Sequence, residues 1–142
     1  MRRVWAFLLL LLLSVPLAAQ GPITPAAAVT STVYDGRTPL LPKFAIIDAA
    51  TFNNNTIVDA VTGKNIRVLA ATVTMTGTAT TLRFESGAHG VALTGQMQPT
   101  QGQTIVLPFN PVGWFESTTL LNLELGAAVS VDGALVYVEV DP

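Results

Sequence analysis

Apolar and polar residues alternate in short segments through residues 63–140, and each segment ends at Gly, Pro or Asn. Alternation with a period of two is typical of strands with one buried face, and none of these segments has the 3.6-residue period of a helix. The strands predicted in this region are 65–76, 80–86, 91–93, 103–109, 119–125 and 134–140. One more strand is predicted at 44–47. Short strands at near-regular spacing predict an all-β domain, built as an antiparallel β-sandwich or jelly roll.

The same alternation predicts which side chains line the core. In the long strand 65–76, Leu69, Ala71, Val73 and Met75 are expected on one face, opposite Thr72, Thr74 and Thr76. The residues expected to face inward in the later strands are Leu82, Phe84, Ile105, Leu107, Phe109, Leu121, Leu123, Leu125, Val136, Val138 and Val140. Their polar neighbours, such as Glu85 and Asn122, are expected on the outward faces. Asp132-Gly133 predicts a tight turn that leads into the last strand. The Asn-rich stretch 48–56 predicts a polar loop, and 57–61 fits either extended chain or a single helical turn.

Residues 1–19 have the composition of an export signal. Arg2 and Arg3 precede an almost unbroken apolar run, and small residues allow cleavage after Ala19. The run is shorter than the ~20 residues of a membrane span, although an uncleaved N-terminal anchor is the alternative. The predicted organisation is a signal peptide at 1–19, an extended arm or linker at 20–42 and a sandwich domain at 43–142. No membrane span is expected after cleavage, and the predicted location is secreted, periplasmic or at the cell surface.

The segment 20–42 is rich in Pro, Thr and Ala, which predicts an extended arm without a core of its own. Two interpretations remain open for it. It is either an unstructured terminus or an arm that lies on a neighbouring subunit. In the second case Tyr34, with the nearby apolar residues Val33, Leu40 and Leu41, would supply the contact.

Composition narrows the classes of partner. Without 1–19 the chain keeps five basic and nine acidic residues, a net charge of 5 − 9 = −4, which argues against a nucleic-acid partner. Charged residues make up only 11% of the whole chain, and so sparse a charged surface suits a homo-oligomer or a larger assembly. The absence of Cys excludes both a lipoprotein anchor and disulfides.

Catalytic side chains do not cluster in the sequence. His89 is the single His, it lies in a glycine-flanked turn, and it is expected to be solvated. The carboxylates are scattered singly, and although a glycosidase pair distant in sequence remains open, nothing selects two of them. The sequence therefore predicts no enzyme and no cofactor.

A calcium site is the one metal site that the sequence suggests. The oxygen-bearing residues near one loop are Asp48, Asn53, Asn55 and Asp59. Their spacing matches no EF-hand loop and lacks its bidentate Glu, and polar turn formation explains the Asn run better. No metal is predicted on balance.

Trp114 is the most informative aromatic residue. It follows the turn 110–113 and is the only Trp outside 1–19. One interpretation makes Trp114 and Phe115, with the adjoining Asn110, a stacking platform for a sugar or an anchor for a partner. The other makes the pair a core plug, because adjacent strand residues point to opposite faces and one of them must go in.

An ordered series of short motifs gives the chain a family resemblance. The motifs are 60–69 (AVTGKNIRVL), 82–87 (LRFESG), 92–95 (ALTG), 107–116 (LPFNPVGWFE), 121–123 (LNL) and 131–137 (VDGALVY). This series resembles small β-sandwich proteins of tailed phages, of the virion-associated or decoration type. The resemblance implies a jelly-roll-like fold, no catalysis and work done by packing on itself or on a capsid or tail surface. Two features depart from the family: the turn 117–120 has no Gly, and the export signal does not suit assembly in the cytoplasm.

These observations predict an exported, non-enzymatic β-sandwich that self-assembles or docks on a larger surface. The alternative is an extracellular carbohydrate-binding or adhesin module that binds a cell-surface glycan through Trp114.

Overall fold

The computed structural model describes residues 32–142, which are strands and connections without any helix. The predicted signal peptide at 1–19 and the part of the predicted arm at 20–31 lie outside the described residues. The strands, in chain order, are β1 (Val33–Asp35), β2 (Thr38–Leu40), β3 (Lys43–Ala49), β4 (Asn53–Val58), β5 (Asn65–Met75), β6 (Leu82–Ser86), β7 (Val91–Ala92), β8 (Thr104–Leu107), β9 (Phe115–Ser117), β10 (Leu121–Leu125) and β11 (Val131–Val140).

Two antiparallel sheets form the body of the domain. The five-stranded sheet has the order β3-β11-β5-β8, with β9 pairing on β5 beyond β8. The four-stranded sheet has the order β4-β10-β6-β7. Side chains from both sheets form one continuous core, so the sheets pack face to face, and the all-β, antiparallel prediction is confirmed.

The centre of the five-stranded sheet is the pairing of β5 with β11, and it contains a bulge. Val136 lies opposite Ala70 and Tyr137 lies opposite Val68, so Leu69 is the extra residue of β5. Ile66 and Val68 face the core before the bulge, and Ala71, Val73 and Met75 face it after the bulge. The prediction that Leu69 shares their face is wrong, because the bulge turns Leu69 to the opposite side of the sheet.

The last strand corrects the prediction that Val136, Val138 and Val140 enter the core between the sheets. Leu135 and Tyr137 face that core instead. Val138 and Val140 lie in a second apolar cluster with Val33 and Leu69, and Val136 packs at its border.

Two strands of the predicted arm cover this second cluster. β1 and β2 form a hairpin. Its residue Val33 is fully buried in the second cluster, and its residue Leu40 packs against the same cluster. The described part of the arm is therefore a hairpin that packs on the outer face of the five-stranded sheet of the same chain.

The predicted turn at Asp132-Gly133 is also wrong, because both residues lie inside β11 and the reversal occurs over 126–130. Gly133 is needed for a close approach of two backbones. A Cβ atom at this position would lie 1.9 Å from the carbonyl oxygen of Thr72. The glycine at this position is therefore required by the close contact between two strands, and it does not indicate a turn.

Three smaller corrections concern loops and faces. The polar loop at 48–56 shrinks to 50–52, because β3 continues to Ala49 and β4 begins at Asn53. Residues 57–58 end β4 rather than forming a helical turn. Phe109 follows β8 and is 45% exposed, so it does not join Ile105 and Leu107 against the core.

We predict that Leu123→Ala lowers the free energy of unfolding by about 2–5 kcal/mol, because Leu123 is fully buried between the sheets and its loss leaves a cavity. Denaturant unfolding followed by circular dichroism measures this. Leu41→Ala is the matched control, since Leu41 is 85% exposed, and its effect is expected to stay within about 0.5 kcal/mol. Equal effects of the two substitutions would contradict the described core.

Candidate binding surfaces

Trp114 and Phe115 divide between the surface and the core. Phe115 begins β9, packs against the core and places its ring 5.1 Å from that of Phe84. Trp114 points the other way and is 46% exposed. The plug interpretation therefore applies to Phe115, whereas Trp114 is available to a ligand.

The turn 110–113 holds the indole of Trp114 in place. The Asn110 side chain donates from Nδ2 to the Gly113 carbonyl at 2.8 Å and accepts from the Val112 amide at 3.1 Å. The indole Nε1 donates to the Pro108 carbonyl at 2.7 Å. Asn110 thus orients the turn, and both of its side-chain ends are used inside the protein.

Polar groups lie next to the exposed indole. Arg67 donates from Nε to Glu116 at 2.9 Å, and Asn65 donates from Nδ2 to the other oxygen of Glu116 at 2.7 Å. A depression of ≈ 140 Å³ is lined by Arg67, Val112, Gly113, Trp114, Phe115 and Glu116. We call it the Trp114 surface.

Gly113 sets the distance between the turn and Arg67. It has a φ of +95°, a left-handed value that side chains disfavour. A Cβ atom here would also lie 2.5 Å from Cγ of Arg67. The turn therefore requires glycine both for its backbone angle and for its contact with the arginine stem.

Tyr34 lies on the β1–β2 hairpin and is 56% exposed. Its neighbour Asp35 lies 3.7 Å from the guanidinium of Arg67, which brings the hairpin to the border of the Trp114 surface. Asp35 and Arg67 are therefore site residues that sequence reasoning missed, because a single scattered charge carries no signal of its spatial partner.

A second surface is the outer face of the five-stranded sheet beside the hairpin. Its residues, which we call the outer apolar face, are Phe44, Ile46, Ala70, Thr72, Val106, Ala134 and Val136. Phe44 and Ile46 are each 79% exposed, and a shallow depression of ≈ 180 Å³ lies beside Phe44. The available sequence signal was that 44–47 is apolar at every position, where a strand with one wet face would alternate.

The outer face of the four-stranded sheet is polar in contrast, yet two of its side chains are fully buried. Glu85 accepts from Arg83 Nε at 2.9 Å, and Asn122 Nδ2 donates to Glu85 at 3.2 Å. Desolvation lowers the pKa of Arg83, but attraction to Glu124 and hydrogen bonding to Glu85 outweigh it, and the net shift is upward. Glu85 and Asn122 point outward as predicted, but they are not solvated as expected.

His89 belongs to the same polar layer. Asn54 Oδ1 accepts from the His89 backbone amide at 3.0 Å and from Asn122 Nδ2 at 3.1 Å. The amide nitrogen of Asn54 must therefore face His89 Nε2, 2.6 Å away, as the donor. Nε2 is then an acceptor, so this ring nitrogen is already occupied.

The weak calcium candidates do not share a common site. Asp48 and Asp59 are exposed at the end of β3 and after β4, and Asn53 begins β4 in a left-handed conformation. Asn55 Oδ1 accepts from the amides of residues 50 and 51 and from the Thr51 hydroxyl, so it serves the loop. Within residues 32–142 no three His, Cys, Asp or Glu side chains group closely enough to hold a metal ion.

The described residues include no helix of the length and apolarity that crossing a membrane requires.

No family model matches the chain. No curated protein matches it either. A solved structure of Bacillus endospore appendages, described as forming "a novel family of disulfide-linked pili", is similar to it at 17% sequence identity and a TM-score of 0.48. The similarity covers 72% of this chain and 88% of that chain. That structure is not a phage virion protein, so the resemblance noted in the sequence stays a prediction.

Proposed function

We propose that the protein is an exported, non-enzymatic structural module that acts by self-assembly or by docking on a larger surface. The observation that carries this proposal is the outer apolar face. A contiguous exposed apolar surface of this kind is typical of interaction sites, because monomeric soluble proteins rarely expose large apolar patches to solvent.

The exposed side chains are large enough to matter energetically. Full burial of a Phe or Ile side chain contributes roughly 1.5–3 kcal/mol to the free energy of association. Phe44 and Ile46 are each 79% exposed in the described chain, so most of this contribution is still available. Burying both on a partner therefore offsets a substantial part of the cost of association, which is about 4–15 kcal/mol.

The surroundings of the titratable groups support a role without catalysis. Among the described residues, His89 is held by Asn54, and Glu85, Glu116 and Glu124 are engaged by arginine side chains. A general base acts beside a nucleophile or a metal, and the partners described for these groups are an amide and guanidinium groups.

The export signal predicted at 1–19 supports a location outside the cytoplasm, at the cell surface or in the extracellular medium. The phage-like motif series supports a module of the virion-associated type that has been reused there.

We predict that the chain without 1–19 forms a species of at least two subunits at micromolar concentration, because assembly buries the outer apolar face. Light scattering coupled to size-exclusion chromatography measures the mass. A single-chain mass that persists up to about 100 µM, well above the dissociation constants of stable assemblies, contradicts self-assembly.

The Trp114 surface favours glycan binding as a second candidate function. A half-exposed indole beside Arg67 and Glu116 offers a stacking face together with a guanidinium and a carboxylate, each of which can form more hydrogen bonds than the one that joins them.

We predict for this second function that Trp114→Ala weakens glycan binding at least tenfold, which corresponds to about 1.4 kcal/mol. A glycan array followed by calorimetry on the selected sugar measures it. Phe52→Ala is the matched control, since Phe52 is an exposed aromatic residue on the loop between β3 and β4. Absence of binding by the wild type, or equal binding by the Trp114 variant, removes this candidate.

A further inference from the structure

The outer edge of β3 is open in the described chain. β3 pairs with β11 on one side, and no strand within residues 32–142 pairs with its other side. It is seven residues long (Lys43–Ala49) and contains no Pro. Natural proteins usually protect such an edge with Pro, bulges, inward charges or a covering segment, because its unpaired amides and carbonyls accept another strand.

The side chains at this edge are as exposed as its backbone. Strand register places Ile46 opposite Ala134, Ala134 opposite Thr72, and Thr72 opposite Val106. This row of the outer apolar face crosses the whole sheet and stops at the open edge. Lys43 does not block the edge, because its ammonium is bound to Glu139 on the neighbouring strand β11.

The other edge strands of the two sheets are less suited to pairing with a second chain. β7 has two residues, β9 has three and β8 has four. β4 has six, but it presents polar side chains, and Asn54 is already engaged by His89. β3 is therefore the one long apolar edge of the described domain.

We propose that β3 pairs antiparallel with β3 of a second copy of this chain, about a two-fold axis through Ala45. The pairing joins the five-stranded sheets of the two copies into one continuous sheet. The inference rests on the proposed function, of which it names the interface.

The register follows from the side chains. In an antiparallel pair, residues directly opposite each other point to the same face, so an axis through Ala45 sets Phe44 against Ile46 of the other copy, twice. An axis through Ile46 sets Phe44 against Asp48 instead. An axis through Phe44 sets Ile46 against Pro42, which lies outside β3, so only residues 43–45 of the two strands would pair.

The charged residues of β3 bear on the direction of pairing. Lys43 lies near one end of the strand and Asp48 near the other. In this register Lys43 of one copy lies opposite Ile47 of the other and one position from its Asp48, with the two charged side chains on opposite faces of the sheet. Parallel pairing would set like charges side by side, which is unfavourable.

Ala45→Cys tests the axis directly, because the chain contains no Cys and the introduced thiol is the only one. Directly opposite residues of an antiparallel pair have Cα atoms about 4.5–5.5 Å apart, within the range that a disulfide spans. We expect mild oxidation to give a disulfide-linked dimer of the chain without 1–19 on a non-reducing gel. Ala92→Cys, on the exposed edge strand β7, is the control and is expected to remain monomeric on that gel.

Ile46→Lys tests the same edge without cross-linking. Ile46 is almost fully exposed, so the fold is expected to survive, which the circular dichroism spectrum checks. We expect the dissociation constant of the assembly, measured by analytical ultracentrifugation, to rise at least tenfold. Val91→Lys, on an exposed apolar residue of β7, is the matched control and is expected to leave the constant unchanged.

The outcomes separate this interface from the proposed function. If the wild type assembles while Ala45→Cys does not cross-link and Ile46→Lys does not dissociate it, the interface lies elsewhere and only the present inference is overturned. If the wild type is a single chain throughout the concentration range, both self-assembly and the inference are overturned.

Discussion

The pairing of β5 with β11 is the constraint on which the rest of the structure depends. It is the longest ladder of the domain and the central one of its sheet, and both of its faces are used. One face closes the core against the four-stranded sheet. The other carries the β1–β2 hairpin at one end and the outer apolar face at the other. The bulge at Leu69 makes this possible, because it directs one leucine to the hairpin while the residues on either side still alternate into the core.

The outer face of the five-stranded sheet is therefore covered in one part and exposed in the other. Under the hairpin, Val138 and Val140 are sealed by residues of the same chain. Beyond Val136 the face stays open as far as the edge strand β3, where Phe44 and Ile46 are exposed. A domain with no disulfide must obtain its stability from burial, and half of this face contributes to that burial only when something else covers it. The Trp114 surface is separate in character, since it is small, polar around its indole and fixed by a rigid turn.

The sequence predicted the all-β class and most strands because alternation reports directly on which residues are half-buried. It failed where burial came from a distant part of the chain. Val136 and Val138 alternate correctly, but the hairpin that covers them is far away in sequence, so their face was assigned to the wrong core. Asp132-Gly133 predicts a turn, although it lies inside a strand, because glycine serves both turns and close backbone contacts. Of the candidate site, the exposure of Trp114 depended on which of two adjacent aromatic residues turned inward, and the sequence left that open.

The buried amide and carboxylate on the four-stranded sheet have a consequence for how the chain folds. If β10 slipped by one residue against its neighbours, Asn122 would enter the space between the sheets and Leu121 or Leu123 would emerge into water. A slipped pairing would also separate Asn122 from Glu85 and Asn54, leaving dehydrated polar atoms without donors or acceptors. A misaligned intermediate therefore loses the burial of a leucine and also the hydrogen bonds of Asn122. Both losses raise its free energy, so the buried polar pair favours the native alignment of β10 more strongly than the leucines would alone.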